Sequence, residues 1–424
     1  MGWVMLNIGV LTIGNELTSG RISDTNSALI ARTAREQGWQ VAALMSVGDE
    51  DRAIHDALDC LLARADAVIV TGGLGPTADD ITTAAIGRAF GLPLHADEAV
   101  LAHVRTLFEK RRLAWTENNA KQALFPEGAE VIANPTGTAA GFALRRGGKI
   151  VAVIPGVPAE VRRMLPEGVI PLLRKAFPSS ALHVETATFK LFGIPEAAVD
   201  AALADADFAA LGIGVGFYPN FPENHLVLTA RTATAGEAGE KLRAAGALVT
   251  ARLGKHIFAR GDETLAGIVV RRLTEKRLLL AVAESCTGGL ITDRLTDVPG
   301  SSAVLERGVV TYSNAAKIAL LGVPEAVIQE HGAVSDQTAR LMAEGVRRLA
   351  GTDLGLAVTG IAGPSGGTEL KPVGTVHIAL ADDQKTFSRR YAFRWDRRRN
   401  KVIASQTALL MLLGYLSGEL GDDG

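Results

Sequence analysis

Residues 278–295 read Leu-Leu-Leu-Ala-Val-Ala-Glu-Ser-Cys-Thr-Gly-Gly-Leu-Ile-Thr-Asp-Arg-Leu, and the change of pattern inside them decides the fold. The first half is an unbroken apolar run of strand length, which a strand buried on both faces requires. Two glycines then break the run, and a helical pattern begins. A buried strand feeding a helix through a glycine turn is the unit of a parallel α/β sheet. Working outward, Gly308–Ser313 is a second strand followed by a helical pattern at 314–322, and Leu354–Gly360 is a third strand. Runs at 373–381 and 389–395 read as two more strands, and helices are expected over Thr264–Glu275 and Asn400–Leu416.

The same alternation fills the first part of the chain. Ile8–Ile13, Val41–Val47 and Ala67–Thr71 read as strands, with helices over Thr25–Gln37, Asp51–Ala63 and Ile81–Phe90. The run ending at Gly156 is a further buried strand. Between these halves the pattern shifts to strand, short helix, two strands and a long helix, as in a small α+β domain with an open antiparallel sheet. The fold class expected is therefore α/β, with two mainly parallel domains at 1–178 and 262–424 joined by a small α+β domain at 179–261. Of 424 residues, 47% are hydrophobic and 21% charged, enough for each domain to bury a core.

A net charge of −2 argues against a broad electrostatic grip on nucleic acid. Two cysteines, Cys60 and Cys286, make neither a disulfide framework nor a cysteine-rich zinc site, and Cys60 reads as core. The start of the chain lacks the cationic segment of a secretory signal, and Leu6 breaks the myristoylation pattern begun by Gly2. No apolar stretch is long enough to span a bilayer. A soluble, cytoplasmic protein without membrane partner is expected.

Chemistry gathers at two strand ends. Ser285 stands where a strand gives way to glycines and a helix, so free backbone N–H groups and the helix dipole would favour negative charge developing there. Cys286 is a rival nucleophile or a small core residue. A serine needs a base. Asn314 reads as a helix N-cap, which sets Lys317 in the first turn, where the dipole and burial both disfavour an ammonium. A neutral lysine can take the serine proton, and Tyr312 is placed to pair with either group. In isolation such a lysine is more often on the surface, and such glycines usually just make a turn. The glycine-rich turn 358–367 offers Thr359, Gly360, Ala362 and Gly363 to an anion, and Arg397–Lys401 offers cations for a phosphate.

In the first domain the loop Thr71-Gly72-Gly73-Leu74-Gly75-Pro76-Thr77-Ala78-Asp79-Asp80 lies between a strand and a helix, where backbone N–H groups wrap phosphates. Asp79 and Asp80 would repel a bare phosphate, which implies a bridging divalent cation such as magnesium, or else they are plain helix caps. Gly14, Glu16, Asp24, Asn26 and Asp49 lie after neighbouring strands, at the edge where open α/β sheets bind ligands.

The ordered motifs AESCTGG, GVVTYSNAAK, HGAVS, VTGIAGPSGG and KPVGTV closely resemble the CinA C-terminal domain family over about Leu265 to Leu416. Residues 7–165, with NPTGTAAGF (including Gly137 and Thr138) and IPGVPAE, resemble that family's molybdopterin-binding-like domain. The resemblance implies an amidase that converts nicotinamide mononucleotide to the acid and ammonia without a metal. Ser285 would be its nucleophile, Lys317 the base and Tyr312 a partner. Thr287, Gly288, Gly289, Asn314, Thr359, Gly360, Ala362, Gly363 and Arg397 would lie around the substrate. The first domain would hydrolyse ADP-ribose with a divalent metal at Asp79 and Asp80. Its relatives act in molybdenum cofactor assembly, and a homodimer is implied. A molybdopterin-handling protein and a non-enzymatic, competence-linked interaction protein are the alternative readings. Where the family often has Gly before Asp-Arg and a hydrophobic-Arg pair after it, this chain has Trp395 and then Arg399-Asn400-Lys401.

Overall fold

A computed structural model describes residues 5–178 and 183–421. Met1 and Gly2, read above for targeting, and Ser179, where the middle domain is expected to begin, lie outside the described residues. The described residues form two compact units, one up to Glu185 together with Thr229–Leu242, the other Thr186–Leu228 with Arg243 onward.

The first unit is built on a six-stranded sheet in the order Gln40–Val47, Asn7–Ile13, Ala67–Thr71, Lys149–Ile154, Gly141–Arg146, Glu130–Ile132. The first four are parallel, and the last two turn antiparallel. Alternation along each strand splits the core between two faces. Ile8, Val10 and Ile69 pack on Ile30 and Val161, whereas Leu11, Val68 and Val70 pack on Ile54, Leu58 and Ile86. Helices thus cover both faces, and every residue of Ala67–Thr71 is buried, which explains its unbroken apolar run. Cys60, expected in the core, is partly exposed instead, because it falls off the buried stripe of Asp51–Leu62.

The second unit carries a five-stranded sheet in the order Leu305–Val310, Leu280–Glu284, Leu354–Gly360, Thr375–Ala381, Thr386–Ala392. The first three are parallel and the last two antiparallel. One face meets the terminal helix Arg397–Leu416 through Leu280, Val282, Leu356 and Leu412. The other carries Ala281, Ala283, Ala357, Ala379 and Ala381, against Met342 and Val346 of the helix Asp336–Ala350. Those small side chains let that helix approach closely. The middle sheet runs in the order Ile213–Asn220, Glu223–Thr232, His183–Leu191, Ile257–Arg260. Its last strand had no counterpart in the sequence pattern.

Three local details differ from the sequence reading. A turn occupies 285–289, and the following helix is only Leu290–Thr296, because Gly288 and Gly289 both take left-handed φ. The cap of the helix Asn314–Leu321 is Ser313, whose side chain accepts from the Ala316 N–H, so Asn314 is already helical. The terminal helix begins at Arg397, capped by Asp396. Among the described residues, no helix is long and apolar enough to cross a membrane.

Gly72 ends the central strand of the first sheet with φ of 112°, and a Cβ there would collide with the Ile13 carbonyl oxygen. Gly72→Ala is therefore expected to lower stability by roughly 2–4 kcal/mol, read as a lowered denaturant midpoint for the transition of the first unit.

Candidate functional sites

The Leu280–Glu284 strand delivers consecutive side chains to opposite faces of its sheet. Glu284 enters the face under the terminal helix, and Ser285 the face under the helix Asp336–Ala350. Ser285 is held by its N–H to the Val358 carbonyl, 2.9 Å away. Its hydroxyl lies 3.1 Å from the Lys317 amine. Lys317 is only 1% exposed, although no carboxylate among the described residues pairs with it. Its Nζ donates to the carbonyls of Thr311, at 2.8 Å, and Tyr312, at 3.4 Å. Burial holds its pKa below the ordinary 10.5. A neutral amine has two hydrogens and one lone pair. As placed, Nζ also donates to the Ser285 hydroxyl; once deprotonated, it can keep its two hydrogens on the carbonyls and turn its lone pair to that hydroxyl.

The surroundings correct several expectations. Cys286 is buried and its thiol is pushed up to about 12, chiefly by desolvation, so it is no nucleophile near neutral pH. The N–H groups at the start of the Leu290–Thr296 helix are not free. Glu284, fully buried, accepts from the backbone N–H groups of Gly289, Ile291 and Thr292 at 3.0, 3.1 and 2.8 Å, and from the Thr292 hydroxyl. That carboxylate, which the sequence reading missed, already neutralises the helix dipole. Tyr312 does not pair with Ser285 or Lys317 through its phenol. Its carbonyl turns inward to the lysine, and its exposed hydroxyl accepts from Arg397 at 3.0 Å. The Thr359 hydroxyl is committed to the Ala333 carbonyl at 2.7 Å rather than offered to an anion. Thr287 is wholly buried, with a hydroxyl that finds no partner among the described residues.

The basic run at the start of the terminal helix sorts by face. Arg397 and Lys401 are one turn apart on one side. Arg397 donates to the Gly363 carbonyl at 2.6 Å, and the Lys401 amine lies beside Gly288, 3.4 Å from where a Cβ would stand. Arg399 instead lies over the Phe221 and Trp395 rings. Asn400, buried, donates to the carbonyls of Ala362 and Trp395 and accepts from the Trp395 N–H. It pins the Gly360–Gly363 turn to the helix. Gly360 itself has no room for a Cβ, which would stand 2.7 Å from Val376.

In the first unit a cavity of about 400 Å3 opens at the carboxyl ends of the parallel strands. It collects Gly14, Glu16, Asp49, Gly72, Gly73, Gly75, Pro76, Asp79, Asp80 and Thr138 of the expected residues. Gln122, Pro155–Val157 and Glu160 also line it; Gln122 comes from a 3-10 turn remote in sequence, and the others from the loop and helix of the IPGVPAE motif, to which no site role was given. Asp24, Asn26, Thr71, Thr77 and Gly137 do not line it. Asp24 caps the helix Thr25–Glu36 and accepts from Thr12 and Ser27. Asn26 donates to the Gly156 carbonyl at 2.7 Å, and Thr71 to the Pro155 carbonyl at 2.9 Å. Thr77 faces the two aspartates, and Gly137 lines the neighbouring cleft under Val100 and His103.

Negative charge is in surplus at this cavity. The single hydroxyl hydrogen of Thr77 faces both Asp79 Oδ1 and Asp80 Oδ2. Asp49 is held above its ordinary pKa chiefly by burial, with Glu16, Asp79 and Asp80 adding to it, whereas the Thr77 hydroxyl, helped by Lys121, holds Asp79 below its own. Hard carboxylate oxygens suit a divalent cation, which would relieve that repulsion. Among the described residues no three ligating side chains converge on one point, so phosphate oxygens and water would have to complete its shell.

Comparison with known proteins follows the same division. Residues 262–416 match the "CinA C-terminal domain" family, 9–175 the "Probable molybdopterin binding domain" family, and 186–259 the "Damage-inducible protein CinA KH domain" family. A CinA-like protein of Syntrophus aciditrophicus is 63% identical over 97% of this chain and 98% of its own. One of Geobacter sulfurreducens is 45% identical over 95% and 98%. A crystal structure of the competence/damage inducible protein CihA from Agrobacterium tumefaciens is 42% identical over 36% of this chain and 93% of its own, with a TM-score of 0.35.

The lysine makes a prediction that needs no substrate. Between its lowered native pKa and 10.5, the unfolded chain binds a proton that the folded protein does not, so stability rises with pH across that window. Lys317→Met removes this contribution. The stability difference between wild type and K317M, read from denaturant midpoints, is expected to move in favour of wild type as pH approaches 10.5. A difference independent of pH would mean that the folded amine is protonated.

Proposed function

The chain belongs to the CinA family, and from that premise we propose that its C-terminal domain is an amidase that hydrolyses the carboxamide of nicotinamide mononucleotide. The observation that carries this reading is the 3.1 Å contact between the Ser285 hydroxyl and a buried lysine amine that desolvation keeps towards its neutral form. Ser285 Oγ attacks the carboxamide carbon while Lys317 takes its proton. The carbonyl oxygen becomes an oxyanion. Gly289, Ile291 and Thr292 are committed to Glu284, so the turn's donors nearest the nucleophile are the N–H groups of Cys286 and Thr287. The lysine then returns the proton to the departing nitrogen, which leaves as ammonia. A water, deprotonated by the same amine, resolves the acyl-enzyme to the nicotinate nucleotide and restores Ser285.

Arg397 and Lys401 supply two cations on one helix face for the 5′-phosphate. The Arg397 contact with the Tyr312 hydroxyl supports a role for Tyr312 as a wall of the phosphate end rather than as a proton carrier. A cytoplasmic homodimer accompanies this reading, and sedimentation of the full chain tests the dimer.

A second activity is favoured by the charge surplus in the first unit. We propose that its glycine-lined cavity takes the diphosphate of ADP-ribose together with a divalent cation held at Asp79 and Asp80. The cation would supply Lewis-acid stabilisation of the phosphoryl oxygens. Gly72, Gly73 and Gly75 bring backbone close to the phosphates, and Glu16, Asp49 and Glu160 are the carboxylates within reach of an attacking water.

Two outcomes check these readings. Ser285→Ala is expected to lower ammonia release from nicotinamide mononucleotide by at least ~1,000-fold, and Lys317→Met by at least ~100-fold, with the ascending limb of the pH–rate profile set by the lysine. Undiminished release by Ser285→Ala ends the amidase reading. Separately, Asp79→Asn with Asp80→Asn is expected to abolish magnesium-dependent release of AMP from ADP-ribose while leaving ammonia release unchanged; wild-type protein that releases no AMP ends the second reading.

A further inference from the structure

The turn that joins Ile213–Asn220 to Glu223–Thr232 in the middle sheet ends on Phe221 and Pro222, two residues the proposed chemistry does not use. Phe221 meets Trp395 edge to face, with centroids 5.2 Å apart and planes at 72°. The Arg399 guanidinium stands 5.4 Å from both ring centres, which closes a three-member stack. Two turns along the same helix a second grip forms. Glu223 accepts from the Gln406 amide at 3.0 Å and pairs with His225 Nε2 at 2.9 Å. Gln406 and Ser405 in turn accept from Arg294, which belongs to the helix that follows the Ser285 turn.

These contacts fall where the amidase site is most exposed to error. Trp395 immediately precedes the cap Asp396. Its backbone N–H and carbonyl are both bonded to Asn400, and Asn400 is bonded to the Ala362 carbonyl. Arg397 is bonded to the neighbouring Gly363 carbonyl. A shift of Trp395 therefore reaches Arg397, Lys401 and the 360–363 turn through hydrogen bonds, without passing through Ser285 or Lys317.

We propose that the Phe221–Glu223 turn of the middle segment is a positioning element of the amidase: it fixes the entry of the terminal helix and so the placement of Arg397 and Lys401 against the substrate's phosphate. This rests on the amidase reading above. Phe221 and Glu223 touch no reacting atom, so their effect falls on substrate affinity and on discrimination for the phosphate.

The test compares full-length wild type, Phe221→Ala and Phe221→Trp, with nicotinamide mononucleotide and its phosphate-free riboside as substrates. Phe221→Ala is expected to raise KM for the mononucleotide by about 5-fold, the worth of one aromatic pair, with kcat within about 2-fold and KM for the riboside unchanged. Phe221→Trp restores the wild-type KM. An unchanged KM in Phe221→Ala overturns the proposal. So does an equal loss on both substrates, or a fall in kcat that Phe221→Trp does not rescue, because a general loss of structure would not single out the phosphate. Wild-type protein that releases no ammonia from either substrate fails the amidase reading itself and this proposal with it, an outcome separate from normal wild-type turnover with an indifferent Phe221→Ala.

Discussion

The C-terminal site depends on keeping a lysine amine out of water without giving it a carboxylate. An ammonium in such a place would cost several kcal/mol of desolvation, so the amine lowers its proton affinity instead. Its Nζ stands within hydrogen-bond distance of two carbonyls from the turn before its helix and of the Ser285 hydroxyl. An acidic partner for Lys317 would favour the ammonium. The burial that weakens the fold at this point is what the proposed amidase would use, an exchange of stability for function.

Glu284 explains how a carboxylate can sit one residue from that pair and leave it alone. The strand sends it to the opposite face of the sheet, where it accepts four hydrogen bonds at the head of the Leu290–Thr296 helix. Its charge is spent on that helix. The alternation of side chains alone thus separates Glu284 from Ser285. The helix gains an internal cap.

The two halves handle charge in opposite ways. The C-terminal site gathers basic side chains, the buried amine of Lys317 and the guanidinium and ammonium of Arg397 and Lys401, around glycine turns. The first unit gathers Glu16, Asp49, Asp79 and Asp80 around glycine turns and leaves them partly uncompensated. Both sites lie at the carboxyl ends of parallel strands, where helices start and backbone donors are exposed. The shared edge follows from parallel topology, and the opposite chemistry from which side chains decorate it.

Much of this was legible in the sequence. Apolar runs of strand length broken by glycines identify the parallel strands, because a strand covered on both faces has no polar side to show. Ser285 and the Gly72–Asp80 loop stand out as polar or glycine-rich ends of such runs, whereas Lys317, inside a helix, is singled out by the ordered motifs that resemble the family. What each polar group bonds to was decided only by the tertiary structure. The pairing of Ser285 with Lys317 spans 32 residues, and the Arg397 contact with Tyr312 spans 85. Asp24, directly before the helix expected from Thr25, carries the local cap pattern, but no local pattern tells that Glu284 takes the helix N–H groups or that Gln122 joins the first cavity. Local sequence sets where backbone direction changes; the partner of a side chain depends on which distant segment packs beside it, and that is settled by the fold as a whole.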